Sequence, residues 1–221
     1  MPKRKIIELS AEGAEIALKK IIDEGVLKDI PVVGSLVKFL SIGQSIRDSL
    51  YIEKLHSFIY ALNEVPSEKK EEFISEVKKR KHEVENLIQK IILVIETQTD
   101  IDKSQIIANF FVSYLDGVMG ESEFRRALDI TGSYFLDDIN KFVGSPGDFG
   151  FKRRSVEDLE NDGLHHLIGS PLIGFDKSTP EDLINDGWKE NTFSSLFEIT
   201  NFGLKFKKAY HHGARLRNND G

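Results

Sequence analysis

The chain has 221 residues, 40% of them hydrophobic and 30% charged, proportions of a globular protein that exclude wholesale disorder. It has no cysteine, which excludes a disulfide framework and thiolate chemistry, and its net charge of −6 argues against nucleic-acid binding by the whole surface, though not by a local basic patch. A length above one average domain but short of two predicts one large domain with a small appendage.

The basic start Lys3-Arg4-Lys5 is followed at once by Glu8, Glu12 and Glu15, so no signal-peptide core forms and the expected location is the cytoplasm. Residues 10–24 read as an amphipathic helix with Ala14, Ala17 and Ile21 on one stripe, ended by Gly25. The stretch 30–62 is the one around which the rest is expected to pack. Leu36, Leu40, Gly43, Ile46 and Leu50 recur at helical spacing, and Leu55, Phe58, Ile59 and Leu62 continue the face. Pro31 suits a first helical turn, and a bend is expected near Gly43. Residues 30–46 raise a membrane reading, but a span needs about 20 apolar residues. Lys38 and Gln44 interrupt this segment, and Arg47 and Asp48 follow it, so it is expected to stay buried in the fold.

Pro66 and a capping Ser67 restart the chain into one long helix over 67–96, with Phe73, Val77, Val84, Leu87, Ile88, Ile91 and Ile95 inward. The run Lys78-Lys79-Arg80-Lys81 on its other face reads as a solvated, ion-paired surface rather than an anion strip, because Glu68, Glu71, Glu72 and Glu76 precede it. Asp102 is expected to cap a helix bearing Ile106, Ile107, Phe110, Phe111, Tyr114 and Leu115, stopped at Asp116-Gly117. A further helix over 121–142 turns Phe124, Leu128, Phe135, Ile139 and Phe142 inward. The turn DGVMGESEF resembles the back half of a calcium loop, but Val112 and Tyr114 stand where its first ligands belong, so no metal is expected there.

After Phe142 glycine, proline and aspartate multiply, which places a domain boundary: a helical bundle over 1–142 and a small α+β piece over 143–221. The second piece holds a duplication, 144–163 and 169–187, in which a Gly-Ser-Pro turn and a Gly-Phe pair precede Ser155-x-Glu157-Asp158-Leu159-x-Asn161-Asp162-Gly163 and Thr179-x-Glu181-Asp182-Leu183-x-Asn185-Asp186-Gly187. Each copy carries a capping box, the second with Pro180 at the first helical position. Phe197, Glu198, Ile199 and Thr200 read as a strand, and Thr200-Asn201 cap a last helix with Leu204, Phe206 and Tyr210.

The order of these elements, with Leu159, Gly163, Leu164, Phe197, Ile199, Thr200, Gly203 and Phe206 at matching places, resembles the closing half of small winged-helix domains over about 150–210. The front, with PVVGSLVKF, RDSLYIEKL and an EFI segment after Pro66, is similar to uncharacterised bacterial helical proteins of the abortive-infection alpha type, which often end in a winged-helix-like piece. That resemblance implies a bacterial accessory or phage-defence role without known catalytic residues.

The expected fold is mainly α: a bundle of about six helices followed by a small α+β, winged-helix-like subdomain. There is no P-loop, dinucleotide fingerprint, zinc-protease helix or nucleophile elbow, and the adjacent pairs His165-His166 and His211-His212 lack the spacing of a helical metal clamp. The leading expectation is therefore a non-enzymatic module without cofactor or metal, working through a protein partner, with homo-oligomerisation left open. The first alternative is a DNA-binding regulator using Lys152, Arg153, Arg154, Lys205, Lys207, Lys208 and Arg215, with Arg217 as a further phosphate contact, opposed by Glu157, Asp158, Glu160, Asp162, Glu181, Asp182 and Asp186 in the same piece. The second is a membrane-associated effector using 30–46.

Overall fold

The computed structural model describes residues 46–145, 153–187 and 196–218, with side chains described from Leu50 onward. In chain order they form α1 (Ile46–Asn63), α2 (Ser67–Lys79), α3 (Lys81–Thr97), α4 (Lys103–Leu115), α5 (Glu121–Ser133), α6 (Leu136–Gly144), α7 (Val156–Asn161), a 3₁₀ turn (His165–Leu167), β1 (Ile173–Phe175), α8 (Pro180–Asn185), β2 (Phe197–Ile199) and α9 (Asn201–Asn218). The described residues are thus mainly helical, with one small two-stranded sheet. They belong to two compact units, Met1–Gly132 with His212–Gly221, and Ser133–His211. The predicted helix over 10–24 and the apolar residues 30–45 lie outside the described residues, among which no helix is long and apolar enough to cross a membrane.

In the first unit the enclosed element is α4. No charge stands between Lys103 and Asp116, and every residue of the helix except Gln105 is buried, so it needs no solvent face. Its most extensive neighbour is α1. Phe111 is the hub of its aromatic contacts, with ring centroids 6.2 Å from Phe58, 6.3 Å from Tyr114 and 5.9 Å from Phe124, and Tyr114 stacks on Phe124 at 5.3 Å. The helix stops where expected. Gly117 adopts φ +74°, its N–H donates to the Tyr114 carbonyl and the Val118 N–H to that of Ser113, so the last carbonyls are satisfied by a left-handed cap.

Five expectations are corrected here. Leu50 is exposed, because its step of five residues to Leu55 turns it about 140° off the buried stripe of Leu55, Phe58, Ile59 and Leu62. Ser67 lies inside α2 rather than capping it, and Asp102 precedes α4 without a side-chain cap bond. The helix expected over 67–96 is two, because Arg80 leaves helical geometry at φ −112°, ψ 34°. There its guanidinium lies 4.7 Å from the Tyr114 ring centroid, with Glu76 at 3.8 Å and Glu83 at 3.6 Å, while the apolar face runs on through Val77 and Val84. The helix expected over 121–142 is also two: Thr131-Gly132-Ser133 is a poor helical run, and Phe135 becomes an extended N-cap, 79% exposed instead of inward.

In the second unit, β1 and β2 pair antiparallel with Ile173 opposite Ile199, Gly174 opposite Glu198 and Phe175 opposite Phe197. Arg154 joins the other edge of β2 through paired backbone bonds with Phe197 at 3.0 and 2.9 Å. Leu159, Leu164, Leu167, Leu172, Leu183 and Leu196 are buried, and Phe142 meets Phe206 edge-on at 6.0 Å. Thr200 starts α9, its hydroxyl accepting from the Gly203 N–H at 2.9 Å. The short helices α7 and α8 carry complete capping boxes, Ser155 with Asp158 and Thr179 with Asp182, and are followed by Gly163 and Gly187 at positive φ. The first copy's Pro146 and Gly150-Phe151 lie outside the described residues.

Both capping carboxyls are held below the usual carboxylate range: Asp158 first by the Ser155 backbone N–H, Asp182 first by the Thr179 hydroxyl. A folded value below the unfolded one gives stabilisation that is complete above the unfolded value and is lost as pH falls through the folded one. The Ser155 and Thr179 amide resonances are therefore expected to titrate together with these carboxyls in acid, and Asp158→Asn to abolish the Ser155 titration, as read by NMR.

Candidate functional site

The basic residues singled out in the sequence are mostly engaged in holding the fold. Lys152 lies outside the described residues. Arg153 donates from Nε to Asp176 at 2.9 Å, from Nη2 to Ser178 at 2.7 Å and from Nη1 to Asp186, so one guanidinium pins both flanks of α8. Arg154 pairs with Asp162 at 3.3 Å, beyond the end of α7. Lys207 is buried: its amine donates to the backbone and hydroxyl oxygens of Ser145, both at 2.9 Å, and lies 5.8 Å from the Phe142 ring centroid. Lys205 is half-buried and Lys208 exposed on the same helix. Arg215, exposed in the first unit, reaches His212 Nδ1 at 3.5 Å.

The histidine pairs divide their roles. His211 Nε2 meets the Val143 carbonyl at 2.8 Å within the second unit, whereas His212 Nε2 meets Asp116 at 2.7 Å within the first. Asp116 also accepts from Lys69 at 3.0 Å. Burial would raise its carboxyl, but the bonds from Lys69 and His212 outweigh that and keep it below the ordinary value. A second carboxylate of the calcium-like turn, Glu123, accepts from the Gly120 N–H at 2.7 Å. Both groups thus serve helix ends and helix contacts. No group of three or more metal-ligating side chains is found among the described residues.

Sequence reasoning missed a buried polar cluster in the first unit. Lys54 is 2% exposed and donates to the carbonyls of Glu96 at 2.9 Å and Gln98 at 2.6 Å, closing the C-terminus of α3. Burial lowers its pKa, partly offset by Glu96, and burial followed by Glu96 pushes the Tyr51 hydroxyl up to about 12. The available signal was spacing: Lys54 stands four residues before Phe58, one turn along the same face of α1. Arg217, read in the sequence with Arg215 as a phosphate contact of the DNA alternative, has internal acceptors instead. It is buried, and it donates to the Gln105 carbonyl at 3.1 Å, Asn109 Oδ1 at 2.7 Å and Glu64 at 2.6 Å.

One surface depression, about 500 Å³, is an open trough along α3 lined by Asn86, Gln89, Lys90, Leu93, Val94 and Thr97. Its one titratable lining residue, Lys90, is paired with Asp129 at 2.7 Å. A second cleft, between Arg154, Leu159 and β2, measures about 10 Å³, roughly one water. Among its exposed residues the second unit presents three large apolar side chains: Phe135, Phe175 and Ile184 are 79%, 63% and 51% exposed. No family model, curated protein or solved structure matches the chain.

Proposed function

We propose that the chain is a non-enzymatic interaction module of the bacterial cytoplasm, a regulatory or phage-defence accessory that works through a protein partner. The observation that carries this reading is the division of labour in the second unit. Arg153, Arg154 and Lys207 are consumed by internal bonds, while large apolar side chains are left in water, the arrangement of a surface awaiting a protein rather than a polyanion. Turnover of nucleotide or cleavage of nucleic acid by the purified chain would defeat the reading.

A winged-helix DNA regulator is the second reading. It is favoured by the order of the sheet, in which Arg154, β2 and β1 lie side by side after α6 and before α9. Against it, the position expected of a reading helix, ahead of β1, holds the three-residue turn His165–Leu167. The two readings separate in a duplex titration at low and moderate salt, comparing wild type with a Lys205→Ala, Lys208→Ala variant, which spares the bonded Arg153 and Lys207. The expected result is no salt-sensitive binding. Micromolar binding that weakens with salt and disappears in the variant would promote the DNA reading.

A further inference from the structure

The segment from Phe175 to Gly187 is unusual in what it combines. Two large apolar side chains, Phe175 and Ile184, are more than half exposed within twelve residues of chain. The segment that bears them is fixed. Arg153 ties down Asp176, the residue after Phe175, and Asp186, two residues after Ile184. Leu183 is buried, and the Thr179 and Asp182 capping box holds the start of α8. Anchors presented on a pinned segment lose little freedom on binding, which is how a small surface reaches useful affinity.

The charge around the anchors is one-sided. The segment holds four carboxylates to one lysine, and Glu181, Asp182 and Asp186 are exposed. Arg153 does not reverse this: with it counted, four carboxylates still stand against two cations, Arg153 and Lys177. An acidic rim repels nucleic acid and anionic lipid, and repels a second copy of itself across a two-fold axis. It suits a protein segment with apolar anchors flanked by lysine or arginine.

Resting on the interaction-module reading, we propose that Phe175 to Gly187 is a docking surface for a basic amphipathic segment of a protein partner, with Phe175 and Ile184 as anchors and Glu181, Asp182 and Asp186 as the rim. Glu181 is the carboxylate to alter, since Asp182 closes the helix cap and Asp186 holds Arg153.

The test uses the full chain and a fluorescent peptide of leucine and lysine at helical spacing, with a leucine and glutamate counterpart, read by anisotropy at two salt concentrations. The expected result is binding of the lysine peptide alone, weakened by about tenfold or more in Phe175→Ser, Ile184→Ser. Glu181→Lys is expected to weaken it by a smaller factor that shrinks as salt rises. Equal binding to wild type and the double serine variant would show diffuse charge attraction and overturn the proposal, as would no binding at low salt. A partner that co-purifies equally with both would overturn this surface and leave the module reading intact, whereas enzymatic turnover defeats the module reading whatever the peptide does. Ile184 is exposed and Phe175 loses only its cross-strand ring contact with Phe197, so the double variant is expected to keep the wild-type circular dichroism with a small fall in melting temperature.

Discussion

Arg217→Ala is expected to lower the unfolding free energy by about 3 kcal/mol, the lower end of the range for breaking a buried ion pair from one side. The guanidinium serves three acceptors at once: the Gln105 carbonyl, the Asn109 side-chain oxygen and the Glu64 carboxylate. Alanine removes every donor and leaves those oxygens behind. Glu64 keeps some access to water at 23% side-chain exposure, which sets the cost at the lower end. Arg217→Lys is expected to recover only part of it, because an ammonium lacks the planar fork that reaches separated acceptors. Urea unfolding checks both variants: the midpoint should fall with an unchanged slope, the mark of lost stability rather than an altered unfolded state.

Gly213→Ala is expected to destabilise by about 3 kcal/mol, at the top of the usual overpacking range, and the sign is the informative part. Inside a helix this exchange ordinarily stabilises by about 1 kcal/mol, because glycine has more backbone freedom to lose. At Gly213 an added Cβ would stand 2.0 Å from the Asn109 carbonyl oxygen and 2.6 Å from its carbon. Those atoms belong to the backbone of the enclosed helix α4, so no side-chain rotation relieves the overlap. Gly132→Ala is the control: it is also helical, but its nearest neighbour would be the Val94 Cγ1 at 3.4 Å, so the change is expected to be neutral or mildly stabilising. Thermal melts of the two variants should move apart.

What the sequence made legible follows from the range over which each signal acts. The two capping boxes, the Gly117 stop and the Thr200 start are local: donor and acceptor lie within a few residues, and the pattern is nearly the structure. The apolar stripes of α1, α3 and α5 were legible for the same reason. The breaks at Arg80 and Phe135 were not. Arg80 is drawn to Tyr114 on a helix elsewhere in the sequence, and spacing alone continues smoothly through it. The complete burial of α4 was half visible: its aromatic face was read, but nothing in the spacing of Ala108, Asn109 and Ser113 marks the rest of the helix as covered. The internal bonds of the basic residues were hidden for a related reason. Composition counts charges but does not show that Arg153 and Arg154 already have acidic partners 23 and 8 residues further along the chain.

The bond from Arg217 to Glu64 closes across 153 positions, and the compact unit that contains both is interrupted by the whole of Ser133–His211. Synthesis runs from one end, so residues 46–132 emerge long before the turn of α9 that fills the notch beside Asn109. Until then Glu64, Gln105 and Asn109 lack the bonds that Arg217 brings, and the nascent unit waits in a less stable form while the intervening unit is made. The loop-closure entropy grows only logarithmically with length, so the long separation costs little stability while it postpones the contact. A ribosome stalled before residue 212 would hold a chain whose second unit has its full sequence and whose first does not.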